Sequence, residues 1–385
     1  MIDKLKISQV AWILLFACTS MFVLGMGDNI RGPLFADLIK NFELTNTQAS
    51  LSFAITSTFG FLGNLISGKI LEKISTAQML THSILVMALG LLFMGAASTF
   101  SLYLISAAVF GFGMGLIGVA QNLIVVENFV GQKQTQALST LHGLYGLSSL
   151  IAPFVASYAP HFFGPWRSAF YVTAALSLFV YVGAKLIRPE IPILHDSANE
   201  QILKSKVSLA TLLIFGGILA FYVVAEILVS SRLALYMRQY FEMNLERSSL
   251  YVTYFFVFIL IGRLIFAFKK FNFDLKFQLN GLLILTFIFL FLGLKAHPFF
   301  LALTGLSMAP FYPLAMAYLS EQTQLQKRRV ITFAMGFQNL SLISMHIGVG
   351  YLTDSFGLIN AFNVGFIAIL LTGLCLNLHP RLLAT

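Results

Sequence analysis

Long apolar segments recur along almost the whole of this 385-residue chain and leave no room for a water-soluble domain between them. A helix needs about 20 mainly apolar residues to cross a hydrocarbon layer roughly 30 Å thick. Such segments are predicted near residues 9–37, 47–70, 76–97, 101–129, 135–160, 166–187, 207–238, 247–268, 276–295, 298–321, 330–353 and 358–378. We therefore predict an all-α integral membrane protein with twelve transmembrane helices.

The composition and motifs argue against an enzyme. Hydrophobic residues make up 58% of the chain and charged residues only 10%, whereas about 25% of residues are charged in soluble proteins. The string GNLISGK at 63–69 fits a phosphate-binding loop, but Ile70 replaces the hydroxyl residue that binds Mg²⁺, and no strand precedes it. No zinc signature or nucleophile elbow is present. We expect no catalytic residues, no cofactor and no metal.

The net charge of +9 is distributed in a way that indicates orientation rather than nucleic-acid binding. With a cytoplasmic N-terminus, the inner side receives Lys4, Lys6, Lys69, Lys73, Lys133, Lys185, Arg188, Lys204, Lys206, Lys269, Lys270, Lys276, Lys327, Arg328, Arg329 and Arg381. The outer side receives Lys40, Arg167, Arg238, Arg247 and Lys295. This excess follows the positive-inside rule. It predicts that both termini are cytoplasmic. Separately, we expect a monomer in the lipid bilayer of the cell (inner) membrane.

The start of the chain resembles a signal peptide, with a basic residue pair followed by an apolar run. Eleven further spans follow, and the apolar run continues beyond a possible cleavage site at Cys18. We expect the segment to be retained as the first span.

A polar stretch at 188–206 separates the first six predicted spans from the last six. It predicts an N-terminal six-helix bundle at 1–187, a cytoplasmic linker at 188–206 and a C-terminal bundle at 207–385. Short basic loops follow both the second and the eighth spans, so the halves repeat a pattern. Repeats related by an axis along the membrane normal suit a transporter whose halves move around a central binding site.

Several strings resemble the major facilitator superfamily, and within it the branch of fucose:proton symporters and glucose/galactose permeases. They are LTNTQASLSF (44–53), SGKILEKIS (67–75), GFGMGLIGVAQN (111–122), LSTLHGLYGLSSLIAP (138–153), FYVVAE (221–226), GRLI (262–265) and FYPLAMAYL (311–319). In the second string, Gly68, Glu72 and Lys73 match the superfamily's loop signature. The resemblance implies the major facilitator fold and transport by alternating access.

The chain departs from that branch at the positions linked to proton coupling. The resemblance implies a carboxylate in the first helix and another midway along the fourth, where this chain has Gly118. The branch's Asn-Pro pair is Asn122-Leu123 here. Asp28 lies near the first carboxylate position but needs an alignment gap to match it.

Asp28 and Arg31 place two charges inside the first predicted span. Intramembrane charges are costly and persist where they meet a partner, a cavity or a substrate. Three residues apart on a helix, the two side chains are within reach of each other. Two interpretations are open: an ion pair that holds helices together, or a pair that faces substrate, with Arg31 able to bind an anion. Asp28 becomes a proton-coupling candidate if substrate withdraws Arg31.

Glu226 lies in the middle of the seventh span, the counterpart of the first, with Tyr222 one turn earlier. Arg232 is six residues away and points round the helix, so no base shares the face of Glu226. We prefer Glu226 to Asp28 as the proton carrier. The alternative is a hydrogen bond between helices.

Polar side chains at helical spacing on the fifth and eleventh spans predict a solute site. With the first and fourth spans included, the candidate substrate-binding residues are Asp28, Arg31, Asn122, His142, Tyr145, Gln338, Asn339 and His346. Hydroxyl, amide and imidazole groups beside aromatic rings suit sugar hydroxyls, although each is also a common contact between helices. The glycines of the fourth span, including Gly111, Gly115 and Gly118, predict close helix packing.

Charged residues at the cytoplasmic ends of the spans predict a gate, with candidates Glu72, Lys73, Glu127, Arg263 and Glu321. Glu127 is expected to pair with Lys69 or Lys73, and Glu321 with Arg263 or Lys269. Surface ion pairs contributing less than about 1 kcal/mol are the alternative.

Together these features predict a secondary transporter that moves a small polar solute, preferably a sugar, by proton symport. One alternative is an exporter or importer of an anionic or amphipathic compound, favoured by Arg31, Arg232 and the 39 phenylalanines. A second is a membrane sensor that binds ligand without transporting it.

Overall fold

A computed structural model describes residues 2–129, 131–187, 208–269, 271–322 and 327–378. The described helices are α1 (Ile2–Asn29), α2 (Phe35–Phe42), α3 (Asn46–Leu71), α4 (Thr76–Ala96), α5 (Phe100–Asn128), α6 (Gly131–Phe163), α7 (Ser168–Ile187), α8 (Leu209–Tyr240), α9 (Leu245–Phe268), α10 (Leu275–Lys295), α11 (Phe299–Met308), α12 (Phe311–Gln322), α13 (Lys327–Phe356), α14 (Leu358–Ala361) and α15 (Asn363–Leu378). The predicted linker at 188–206 lies outside the described residues.

The predicted all-α membrane fold is confirmed. Within the described residues, 11 stretches are long and apolar enough to cross a membrane. The predicted eleventh span corresponds to α13, which has 30 residues but a more polar sequence and is not among those stretches. At 1.5 Å per residue it is about 45 Å long, so its length suffices for a crossing.

The described helices form two compact units. The first contains the described parts of 1–42 and 55–196, and the second those of 43–54 and 197–385. The start of α3 therefore groups with the C-terminal helices, whereas the division predicted from the sequence assigned all of α3 to the N-terminal bundle.

The two units repeat the same helix pairings. In the first unit α1 packs against α6, and α4 packs against α5 and α7. In the second unit α8 packs against α13, and α10 packs against α11 and α15. These are corresponding helices in the two halves of the sequence, which supports the predicted internal repeat.

The predicted tenth span is broken into α11 and α12. The first piece ends at Met308 and the second begins at Phe311. Pro310 and Pro313 lie at and just after the break. Proline has no N–H group and clashes with the preceding turn, which explains why the helix is interrupted there.

Glycines allow α5 to approach α3 closely. A methyl group added at Gly115 would collide with the backbone of Gly60, and one added at Gly111 would collide with that of Thr56. The predicted close packing is therefore found at these two positions. It is not found at Gly118, where an added methyl group would meet nothing within 4 Å.

Asp354, near the end of α13, caps the N-terminus of α3 within the second unit. Its Oδ1 accepts hydrogen bonds from the backbone N–H and the side-chain amide of Asn46, at 2.8 and 2.9 Å. Its Oδ2 accepts from the backbone N–H and the hydroxyl of Thr47, at 2.7 and 2.5 Å. The carboxylate thus satisfies amide groups that a helix start leaves without partners, and its charge complements the helix dipole.

We expect Asp354→Asn to weaken the attachment of α3 in a pH-dependent way. Burial alone would raise the pKa of Asp354, but the hydrogen bonds from Thr47 and Asn46 lower that pKa from 3.8 to about 2. Its contribution is therefore complete above about pH 4 and is lost as the pH falls toward 2. At neutral pH the variant should lose about 1 kcal/mol of stability, as for loss of a helix cap.

Thermal unfolding of the purified protein checks this expectation. The difference between wild type and Asp354→Asn should narrow as the pH falls below about 4. Asp274→Asn is the matched control, because Asp274 caps α10 through one hydrogen bond to a backbone N–H, at 3.0 Å. Equal losses in the two variants, constant with pH, would contradict the role given to Asp354.

Candidate functional site

The first polar cluster lies in the first unit, where the end of α1 meets the middle of α6. Asp28 forms the predicted ion pair with Arg31 through Oδ1. Its other oxygen, Oδ2, accepts a hydrogen bond of 2.8 Å from the hydroxyl of Tyr145. The neighbouring Asn29 donates to the hydroxyl of Ser149 at 3.0 Å. Asn29 also donates to the hydroxyl of Tyr145 at 3.4 Å, so four polar side chains of α1 and α6, together with Arg31 just after α1, form one connected group.

The two members of the ion pair differ in their surroundings. The side chain of Arg31 is 8% exposed and that of Asp28 is 28% exposed. The guanidinium of Arg31 also lies over the ring of Phe110, with its central carbon 5.1 Å from the ring centre. Arg31 is thus anchored in the helix packing, while Asp28 retains surface that a solute can contact. Asp28 is therefore the more accessible member, and whether the pair is structural or faces a substrate stays a prediction.

The second cluster lies in the second unit around Glu226 of α8. The hydroxyl of Tyr222 is 2.6 Å from Glu226 Oε2 and also contacts the main-chain carbonyl oxygen of Met308. Arg263 of α9 and Tyr312 of α12 both act on Glu226 electrostatically. Tyr222, which lies one turn before Glu226 in the sequence, is thus its hydrogen-bond partner. Arg263, which the sequence suggested as a gate residue, acts on Glu226 from α9.

A third group surrounds Arg232, also in the second unit. This arginine is 1% exposed, and it donates to the hydroxyl of Ser50 at 2.8 Å. Its guanidinium carbon lies 5.4 Å from the ring centre of Phe53. The ring of Phe53 also stacks on that of His346, with 4.8 Å between the ring centres and 14° between the ring planes. Arg232 therefore points away from Glu226, as its position in the sequence predicts.

The remaining predicted substrate residues are more scattered. Asn122 turns back to donate to the carbonyl of Gly118, on its own helix, at 2.7 Å. His142 is exposed, although Tyr145 on the same helix joins the Asp28 cluster. Gln338 and Asn339 are half-buried on α13, and the Oε1 atom of Gln338 has no hydrogen-bond partner among the described residues.

Among the predicted gate residues, Glu127 has a different contact from the one expected. Glu127 Oε1 accepts a hydrogen bond of 2.7 Å from Thr76. Among the described ion pairs it has none with Lys69 or Lys73. Glu72, Lys73, Arg263 and Glu321 all have exposed side chains. Their role in gating stays a prediction.

Sequence reasoning missed three participants for identifiable reasons. Asn29 is next to Asp28 in the sequence, but its amide is neutral and was not selected because the prediction relied on charged residues. Ser50 became important only through tertiary contact with Arg232. The contact of the Met308 carbonyl cannot be read from a residue type, although Pro310 and Pro313 could have indicated the helix break beside it.

Known proteins resemble this chain in sequence and in fold. The sequence pattern of the Major Facilitator Superfamily matches residues 17–295. A protein of Mus musculus named sodium-dependent glucose transporter 1A is 31% identical over 137 residues, which is 35% of this chain and 32% of that protein. A probable nitrate/nitrite transporter NarK2 of Mycobacterium tuberculosis is 26% identical over 208 residues, or 50% of this chain and 51% of that protein.

The chain thus spans between about a third and a half of these relatives' lengths. The solved structure of a superfamily transporter, FucP, in the outward conformation has a TM-score of 0.64 at 17% identity. The match covers 96% of this chain and 99% of that one. These findings are consistent with the fucose and glucose permease branch that the sequence resembles, and they place this multi-pass membrane protein in a family of transporters rather than enzymes. The chain belongs to the Major Facilitator Superfamily.

Proposed function

We propose that this protein is a secondary active transporter that moves a small polar solute, a sugar, together with a proton across the cell (inner) membrane. Alternating access would carry out the movement, with both termini in the cytoplasm and with a monomer as the working unit. The observation that carries the proposal is the presence of one polar cluster on the first helix of each unit, around Asp28 on α1 and around Glu226 on α8.

The Asp28 cluster supports a sugar as the solute. It combines an accessible carboxylate with the amide of Asn29 and the hydroxyls of Tyr145 and Ser149. Carboxylates and amides bind neighbouring hydroxyl groups well, and a tyrosine ring adds an apolar surface. A relative named as a glucose transporter points to the same class of solute.

The Glu226 cluster supports a proton as the coupling ion. Glu226 has a hydroxyl partner within 2.6 Å, and a cation acts on it from a neighbouring helix. A carboxyl group with a neutral partner and a nearby cation has stabilising contacts in both protonation states. Sodium is the competing coupling ion, because the mouse relative is named as sodium-dependent.

An anionic solute is the second candidate. Arg31, just after the end of α1, and Arg232 on the corresponding helix α8 are buried guanidinium groups, and a relative is named as a nitrate/nitrite transporter. Guanidinium groups bind planar oxyanions through paired hydrogen bonds. In this structure Arg31 already pairs with Asp28, which favours the sugar proposal over the anion.

Uptake by purified protein in liposomes tests the proposal. Labelled sugars and nitrate should be compared under an inward proton gradient, an inward sodium gradient and no gradient. We expect a sugar to accumulate only with the proton gradient, and a proton ionophore should abolish that accumulation. Accumulation of nitrate, or of a sugar driven by sodium alone, would overturn the corresponding part of the proposal. Binding of sugar without any exchange would indicate a sensor.

A further inference from the structure

The hydroxyl group of Tyr222 joins Glu226 to the break between α11 and α12. Tyr222 is 2% exposed, and its ring stacks on Phe311 with 4.2 Å between the ring centres. This stacking fixes the position of the hydroxyl. The oxygen then contacts Glu226 Oε2 at 2.6 Å and the carbonyl oxygen of Met308.

Counting hydrogens distinguishes the two protonation states of Glu226. A tyrosine hydroxyl has one proton to donate, and its oxygen can accept. An ionised Glu226 and the Met308 carbonyl are both acceptors, so they would compete for the single proton of Tyr222. A protonated Glu226 removes the competition, because it donates to Tyr222 while Tyr222 donates to Met308. Only the protonated state satisfies both observed contacts.

The carbonyl of Met308 lies at the end of a helix, where carbonyl groups lose their ordinary N–H donors. Pro310, two residues further on, interrupts the helix at this point. Met308 is fully buried, and an unsatisfied main-chain group is costly inside a membrane. Donation from Tyr222 therefore ties α8 to the broken helix.

We propose that Glu226, Tyr222 and the carbonyl of Met308 form a proton-controlled hydrogen-bond switch. When Glu226 holds a proton, Tyr222 donates to Met308 and secures the end of α11. When Glu226 releases the proton to water, Tyr222 donates to the carboxylate instead, and the break between α11 and α12 loses its tie. This inference rests on the proposed function of Glu226 as the proton carrier and assigns Tyr222 as a positioning residue.

The surroundings of Glu226 allow both states of the switch. Arg263 on α9 supplies a positive charge that acts on the carboxylate after the proton leaves. Tyr312 on α12 is a further titratable group that acts on Glu226, from the other side of the helix break. Each side of the helix break thus has a group that responds to the charge of Glu226. On α11 this group is the Met308 carbonyl, and on α12 it is Tyr312.

Infrared difference spectroscopy on the purified wild type and three variants tests the switch. The carboxyl C=O stretch of a protonated glutamic acid should appear in the wild type over part of the range from about pH 5 to 9 and vanish in Glu226→Gln. In Tyr222→Phe the band should shift to higher frequency, because its hydrogen-bond partner is gone. Tyr236→Phe, which removes a buried hydroxyl 14 residues further along α8, should leave the band unchanged.

Transport provides the second readout. The switch predicts that Tyr222→Phe lowers the initial rate of proton-driven accumulation about tenfold, as expected for one hydrogen bond made in only one state, while solute exchange persists. If Tyr222→Phe leaves both the band and the accumulation at wild-type values, the switch is wrong, although Glu226 can still carry the proton. If Glu226→Gln accumulates solute normally, the proposed function itself fails.

The wild-type spectrum keeps the test decisive if Tyr222→Phe does not fold. Absence of any protonated-carboxyl band that Glu226→Gln removes would contradict the hydrogen count by itself. A band that is present, and whose frequency indicates a hydrogen-bonded carboxyl group, would support it.

Discussion

Glu226→Gln is expected to abolish proton-driven accumulation of solute while leaving exchange across the membrane intact. Glutamine keeps the size and the hydrogen-bonding ability of the side chain but cannot take up or release a proton. For one proton per solute, a gradient of one pH unit supports up to about tenfold accumulation. The variant should lose this accumulation completely and equilibrate the solute instead.

Accumulation and counterflow measured in the same liposomes separate the two steps. Glu242→Gln serves as the control, because Glu242 is an exposed acid beyond the end of α8. It should behave as wild type in both assays. Undiminished accumulation by Glu226→Gln would remove Glu226 from the coupling mechanism, and loss of exchange as well would assign it to solute binding.

Asp28→Asn is expected to destabilise the protein more than the double change Asp28→Asn with Arg31→Gln. The single change leaves the guanidinium of Arg31 buried without its carboxylate, and breaking a buried pair costs about 3 to 5 kcal/mol. The lower end applies here, because Asp28 keeps 28% of its side-chain surface exposed. The double change removes both charges and should recover part of the loss.

Thermal unfolding and transport of the single and double variants distinguish the two roles of the pair. Tyr145→Phe is the matched control, since it removes a hydrogen bond to the Asp28 carboxylate without changing any charge and should cost about 1.5 kcal/mol. Recovery of stability together with transport in the double variant would indicate a purely structural pair. Equal loss of transport in both variants, with intact folding, would indicate that Asp28 contacts the solute.

The sequence was sufficient to predict the fold class, because the length and apolar composition of membrane-spanning helices can be recognised in a sequence. The repeated helix pairings in the two units follow from the repeated sequence pattern. The segment of α13 is more polar than the other predicted spans but is also helical, and it packs against α8. The division into units was harder to predict, since the start of α3 groups with the second unit through tertiary contacts such as that of Ser50 with Arg232.

Charged residues of the candidate site could be predicted from the sequence, because charges are rare in membrane-spanning segments. The neutral groups of the site could not. The pairing of Asp28 with Arg31 and that of Glu226 with Tyr222 follow from helical spacing. The role of Met308 depends on a main-chain carbonyl, which no residue type reveals. Asp354 was overlooked because its partners on α3 lie more than 300 residues away in the sequence.

Proton movement during solute uptake tests the central claim most directly. Liposomes that contain the protein and an internal pH-sensitive dye are supplied with the transported sugar outside, with no initial pH gradient. We predict that wild-type protein acidifies the interior as sugar enters and that Glu226→Gln admits sugar without acidification. Sugar entry through the wild-type protein with no change of internal pH would contradict proton symport.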